Sequence, residues 1–170
     1  MIRLSAPVTR ADLKSLKAGD QVLISGIVYT ARDQAHIRLV NDKHPAFELE
    51  GSILFYVGPT PARDGVIIGA SGPTSSYRMD PMSPALMERG VKVMIGKGDR
   101  SEAFRAAMMH HGSVYLIATG GAGALLSSRI KSSEVIMYED LGTEAIRKLE
   151  VEDFPCFVAY DLHGNSLFQR

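Results

Sequence analysis

The apolar and polar positions alternate between two periods along the chain. TRADLKSLKA (9–18) spaces its apolar residues for a short helix, with Thr9 placed to cap it and Gly19-Asp20 to end it. QVLISGIVYT (21–30) is rich in β-branched residues and predicts a strand. In ARDQAHIRLVND (31–42), Ala31, Ala35 and Leu39 recur every fourth residue, the stripe of a helix. SILFYV (52–57) and GVIIGA (65–70) predict buried strands separated by a Gly-Pro-rich connection. Pro84 and Gly90 bracket a short helix over PALMER.

The second half repeats the alternation. VKVMIG (91–96) predicts a strand, and Ser101 caps a helix that runs through Met109 and stops before Gly112. VYLIAT (114–119) predicts a strand that enters the glycine cluster GGAGALL. SEVIMY (133–138) predicts another strand, followed by a short helix around TEAIRKL. FVAYD-LHGN-SLFQ predicts a closing β-hairpin around His163-Gly164-Asn165. Interleaved strands and helices imply one α/β layered domain over residues 1–170. Periodicity leaves open whether its sheets are parallel, mixed or doubled.

Composition narrows the function classes. Hydrophobic residues make up 45% and charged residues 22%, enough apolar material for a sizeable core. Nineteen basic residues balance nineteen acidic ones, which argues against a general nucleic-acid or anionic-membrane binder. No apolar run is long enough for a transmembrane helix, and the N-terminus lacks the apolar core of a secretory signal. A cytoplasmic protein is expected. The single cysteine, Cys156, sits in FPCFVAYD and reads as a small buried hydrophobe. One cysteine cannot hold an iron–sulfur or zinc site alone, and no HxH or HExxH spacing assists it, so no metal site is expected in this chain.

Three predicted strand ends carry cations. In TARDQAH, Asp33 suits the positive end of a helix dipole while Arg32 does not, so Arg32 is an anion-binding candidate as readily as a structural one. His36, one turn on, fits a bond to Asp33, a place beside substrate or an exposed position. In SGPTSSYRMD, Thr74 and Arg78 share a face if a helical turn forms, and a hydroxyl beside a guanidinium can take a carboxylate. A self-capping turn explains the same residues. In IGKGDRS, glycines flank Lys97 and allow close backbone approach to a ligand, without the spacing of a nucleotide P-loop. The ATGGAGALLSSR cluster reads as tight strand-to-helix packing rather than a dinucleotide site. If Arg32, Arg78 and Lys97 converge, they form a pocket for a small dicarboxylate.

Taken in order, LISGIVYTARDQAH, IIGASGPTSSYRMD, MIGKGDRS, ATGGAGALL and LGTEAIRKLEVEDFPCFVAYDLHGNSLF resemble the C-terminal domain of iron–sulfur (class I) fumarate hydratases. The same domain forms the β subunit of two-subunit fumarases and L(+)-tartrate dehydratases. The resemblance spans about residues 19 to 168 and implies a three-layer β/β/α swivelling domain with mixed sheets. It implies a hydro-lyase acting on a C4 hydroxy-dicarboxylate, malate/fumarate ahead of tartrate, with a 4Fe–4S cluster held by a partner α subunit in a hetero-oligomer. It makes Thr74 the base, Arg32, Arg78 and Lys97 substrate ligands, and leaves Asp33, His36, Ser75 and Asp80 as supporting residues. Ser75 stands where the family carries a second threonine, and Tyr77 where it often carries glycine, so Tyr77 bears on substrate preference. The chain reads as a free-standing subunit. A non-catalytic carboxylate-binding or assembly module is the reading from another class.

Overall fold

The computed structural model describes residues 1–69, 71–118 and 126–168. Its strands are β1 (Ile2–Ser5), β2 (Gln21–Thr30), β3 (Ile53–Phe55), β4 (Val93–Gly96), β5 (Val114–Ile117), β6 (Ile130–Met137) and β7 (Ile146–Tyr160). Its α-helices are α1 (Arg10–Leu13), α2 (Asp33–Asn41), α3 (Ser83–Glu88) and α4 (Glu102–His111). Thr9 caps α1 as predicted, and the Asp12 carboxylate accepts the Thr9 N–H in return. Ser101 caps α4 by accepting the Phe104 N–H, and Gly112 ends that helix at φ 72°.

Strands β1 to β5 run parallel in sequence order, with α2, α3 and α4 in the crossovers. β7 is antiparallel to β5, β6 and β2, so its pairing with β2 closes a ring, β2-β3-β4-β5-β7. Strand alternation then separates two cores. Val22, Ile24, Ile53, Phe55, Val93, Ile95, Val114, Leu116, Cys156 and Val158 fill the space between the facing parts of the folded sheet. Leu54, Met94 and Tyr115 point the other way, onto Ala35 and Leu39 of α2, Leu86 and Met87 of α3, and Phe104 and Met108 of α4. The result is two β layers and one helical layer in an α/β domain. The two β layers belong to one continuous mixed sheet.

Three expectations change. GVIIGA is not a buried strand: residues 65–69 form turns and bends, with Val66 and Ile67 about half exposed and only Ile68 buried. Gly65, at φ +80°, closes the turn at residues 64–65 that leads into this segment. TEAIRKL is not a helix; Glu139–Glu144 is 3₁₀ and the segment then enters β7. The hairpin at the C-terminus reduces to one bridge, Tyr160 with Ser166, around a turn held by the Asp161 carboxylate. β1 went unpredicted and pairs parallel to β2 with Ile2 opposite Val22. Most of the glycine cluster at 120–126 lies outside the described residues. Among the described residues, no helix is long and apolar enough to cross a membrane.

Candidate anion-binding site at the sheet edge

The parallel strands β2, β3 and β4 deliver their C-terminal ends to one edge. Backbone hydrogen bonds continue past the strands, from the Ala31 N–H to Phe55 O at 3.0 Å and from the Tyr56 N–H to Ile95 O at 2.8 Å. Arg32 is therefore fixed at the N-cap position of α2, with Asp33 as the first helical residue. Asp33 Oδ2 lies 2.9 Å from Arg78 Nε, and Asp33 Oδ1 lies 4.0 Å from Arg32 Nε. One carboxylate thus stands between both candidate arginines. Gly58 packs beneath Arg32: a Cβ there would sit 3.0 Å from Arg32 Cδ and 3.2 Å from its Nη1.

The 71–80 loop is held by the same strand ends. The Thr74 N–H donates to Tyr56 O at 2.8 Å, and the Ser76 N–H donates to Lys97 O at 3.0 Å. Ser75 and Lys97 form a parallel bridge. Ser76 Oγ accepts the Lys97 N–H at 3.0 Å and lies 2.8 Å from the buried Tyr115 hydroxyl, which is also 2.8 Å from Gly98 O. One proton each satisfies the set if Tyr115 donates to Gly98 and Ser76 to Tyr115. A Cβ at Gly96 would fall 1.8 Å from Ser76 Oγ, so this glycine makes room for the loop; Gly98 makes a turn at φ +83°. The 3₁₀ turn spans Ser76–Met79 and leaves Thr74 outside it, so Thr74 and Arg78 do not share a helical face. Lys97 is exposed and its amine has no ion-pair partner among the described residues.

Two supporting candidates point into the protein. Asp80 Oδ1 takes Arg100 Nε at 2.5 Å, and its Oδ2 accepts the Ser101 N–H at 2.7 Å. His36 is fully buried, donates from Nδ1 to Arg32 O at 2.8 Å, and meets the Tyr56 ring edge-on. Its Nε2 is buried without a partner. Burial drives the His36 pKa down from 6.5 to about 4, although the bond to Arg32 opposes the shift, so the ring is neutral at pH 7. His36 is neither exposed nor bonded to Asp33.

A family model described as the fumarase C-terminus matches residues 1–170. The chain belongs to the fumarase C-terminus family. A putative class I fumarate hydratase of Geobacillus stearothermophilus is 37% identical over 99% of the chain, which covers 34% of that relative. The aerobic class I fumarate hydratase of Escherichia coli K12 is 36% identical over 94% of the chain, again covering 30% of the relative. A putative L(+)-tartrate dehydratase subunit beta of Methanocaldococcus jannaschii is 36% identical over 96% of the chain, which covers 89% of it. The chain therefore spans about a third of the fumarate hydratases and most of the tartrate dehydratase subunit.

In this fumarase C-terminus domain, Arg100, which is not among the sequence-predicted candidates, holds Asp80 of the 71–80 loop. Its side chain has no solvent exposure, lies 3.5 Å over the Phe104 ring, and reaches Ser83 Oγ at 3.2 Å. Its signal in the sequence is GKGDRS, where it follows Lys97 by three residues. A 4Fe–4S cluster of the kind the resemblance implies does not fit this domain. It needs several thiolates, whereas Cys156 is the sole cysteine and is packed inside the ring with its thiol pushed up by burial.

Proposed function

We propose that this chain is the β subunit of a cytoplasmic iron–sulfur hydro-lyase that reversibly dehydrates a C4 hydroxy-dicarboxylate, malate to fumarate in the first reading. The observation that carries the proposal is the sheet edge itself. Arg32 and Arg78 meet on Asp33, and the backbone holding Thr74 is bridged to Lys97. Three cations less one carboxylate leave two positive charges, the complement of a dicarboxylate. In this reading the cluster belongs to a partner α subunit that closes the open edge, because the donor set of this chain does not suit it.

Within the chain, Arg32, Arg78 and Lys97 bind and orient the substrate carboxylates, the arginines by planar forks and the lysine as a mobile point charge. Thr74 Oγ1, as the alkoxide, takes the proton from the carbon next to the carbinol carbon; the electron pair of that C–H bond becomes the new C=C bond, and the hydroxyl leaves as water after taking a proton from an acid of the partner subunit. A threonine hydroxyl is a weak base. Neighbouring cations and exclusion of water by the partner lower the cost of charge on its oxygen.

The test is an anaerobic assay of this chain with its partner subunit on malate, fumarate and tartrate. Thr74→Ala lowers kcat by a factor of about 100 to 10,000 with little change in KM. Near-normal turnover by that variant removes Thr74 as the base. Tartrate is the second reading, favoured by the 89% coverage of the relative named as a tartrate dehydratase subunit. Dicarboxylate binding with no turnover in the assembled complex would favour a non-catalytic module instead.

A further inference from the structure

We infer that Asp33 is a positioning residue for both substrate-binding arginines, so that one carboxylate sets the arrangement of the two guanidinium groups. The inference rests on the hydro-lyase reading of the site and deepens it. Asp33 occupies the first position of α2, where the helix dipole favours its negative charge without any arginine. Helix initiation alone leaves its contacts unexplained. Oδ2 is 2.9 Å from Arg78 Nε, on the side of the guanidinium rather than its end. With Asp33 paired at Nε, the two terminal nitrogens of Arg78 have no ion-pair partner among the described residues and are open to a carboxylate, on a side chain that is 46% exposed.

The other oxygen supplies the independent observation. Asp33 Oδ1 and Arg32 Nε are an acceptor and a donor, both buried, both without a hydrogen-bond partner, and 4.0 Å apart. Moving them together by about 1 Å makes the missing bond. Arg32 also packs against Gly58, where even a methyl group would crowd its Cδ and Nη1 and the Thr143 carbonyl. His36 fixes the Arg32 carbonyl through its Nδ1–H. The side chain of Arg32 thus lies between close contact with Gly58 and the charge of the nearby Asp33 carboxylate, both of which limit where it can go. Asp33 is the sole group shared by Arg32 and Arg78 in these contacts.

Asp33→Asn keeps the shape and removes the charge. In the complex with the partner subunit, KM for the dicarboxylate rises about tenfold while kcat falls no more than about threefold. Gly58→Ala displaces Arg32 without touching any charge and gives the same split. A lower KM in Asp33→Asn would make Asp33 a competitor for Arg78 and overturn the proposal. Unchanged KM with only a lowered Tm reduces Asp33 to a helix-start residue, and a loss confined to kcat moves it into the chemical step; either result also overturns it. Heteronuclear NMR of the full chain gives a readout free of turnover. The Arg78 Nε resonance should shift in Asp33→Asn relative to the wild type, because the paired carboxylate is gone; an unchanged signal refutes the positioning. If the wild-type complex turns over no hydroxy-dicarboxylate while this signal behaves as stated, the hydro-lyase reading fails and the Asp33 contact stands.

Discussion

At the scale of single residues, His36 and Gly96 show what side-chain chemistry does here that residue type alone does not reveal. TARDQAH announces a strand end followed by a helix start, and that much was readable because Asp33 suits a helix dipole. The burial of His36 was not readable, since Ala35 and Leu39 define the apolar stripe and His36 lies just beside it. Its consequence is a pH dependence. The unfolded chain takes up a proton near pH 6.5 that folded His36 refuses until about pH 4, so below 6.5 the unfolded state binds more protons. Stability from this residue is fully present above pH 6.5 and is lost as the pH falls toward 4, by up to about 3 kcal/mol. Urea denaturation between pH 7 and 4.5 measures it. His36→Phe, which keeps an aromatic ring against Tyr56, should flatten that part of the profile, and equal slopes in both proteins would contradict the assignment. Gly96 escaped the reading for a different reason: its contact is with Ser76, twenty residues away in the chain, and no local pattern encodes it.

At the scale of elements, local signals were readable where a segment has one amphipathic face and caps of its own. α4 has Ser101, Gly112 and buried Phe104 and Met108, and its extent follows from them. β7 defeats the same logic. Ile146 and Leu149 are three apart and look like a helical stripe, yet Ile146 faces the helical layer and Leu149 the interior of the ring. Farther along, the buried positions jump from Val151 to Phe154 because β7 bulges opposite Ile24 and Gly26, with Asp153 at φ 52°. A strand with both faces buried and a bulge carries no clean period of two. The junction between the 3₁₀ turn at Ser76–Met79 and the start of α4 rests on Arg100, enclosed by aromatic rings and joined to Asp80. Arg100→Met should cost about 3–5 kcal/mol, because it strands the Asp80 carboxylate with little solvent. Adding Asp80→Asn removes that charge while keeping an acceptor for the Ser101 N–H, so the double variant should recover part of the loss in thermal denaturation. Strict additivity of the two losses would show that the pair is not coupled.

At the scale of the whole molecule, zero formal charge conceals an uneven edge. The layer architecture was readable from alternating strands and helices, whereas the closing β2–β7 pairing was not, since it joins residues more than a hundred apart. That closure holds the ring together while β2, β3 and β4 run parallel and end on one side, where Arg32, Arg78 and Lys97 emerge. Lys97 is exposed and lacks an ion-pair partner among the described residues, so in the proposed hydro-lyase its attraction for a substrate acts largely through solvent. Such an attraction is screened over about 10 Å at 0.1 M salt. In the proposed hydro-lyase, kcat/KM on a dicarboxylate should therefore fall as ionic strength rises, and a monocarboxylate analogue should inhibit more weakly with a shallower salt dependence. Lys97→Met should lower kcat/KM at low salt and reduce its dependence on salt, leaving Arg32 and Arg78 of the proposed site to supply what remains. An unchanged salt slope in Lys97→Met would place that lysine outside the field that draws substrate to the edge.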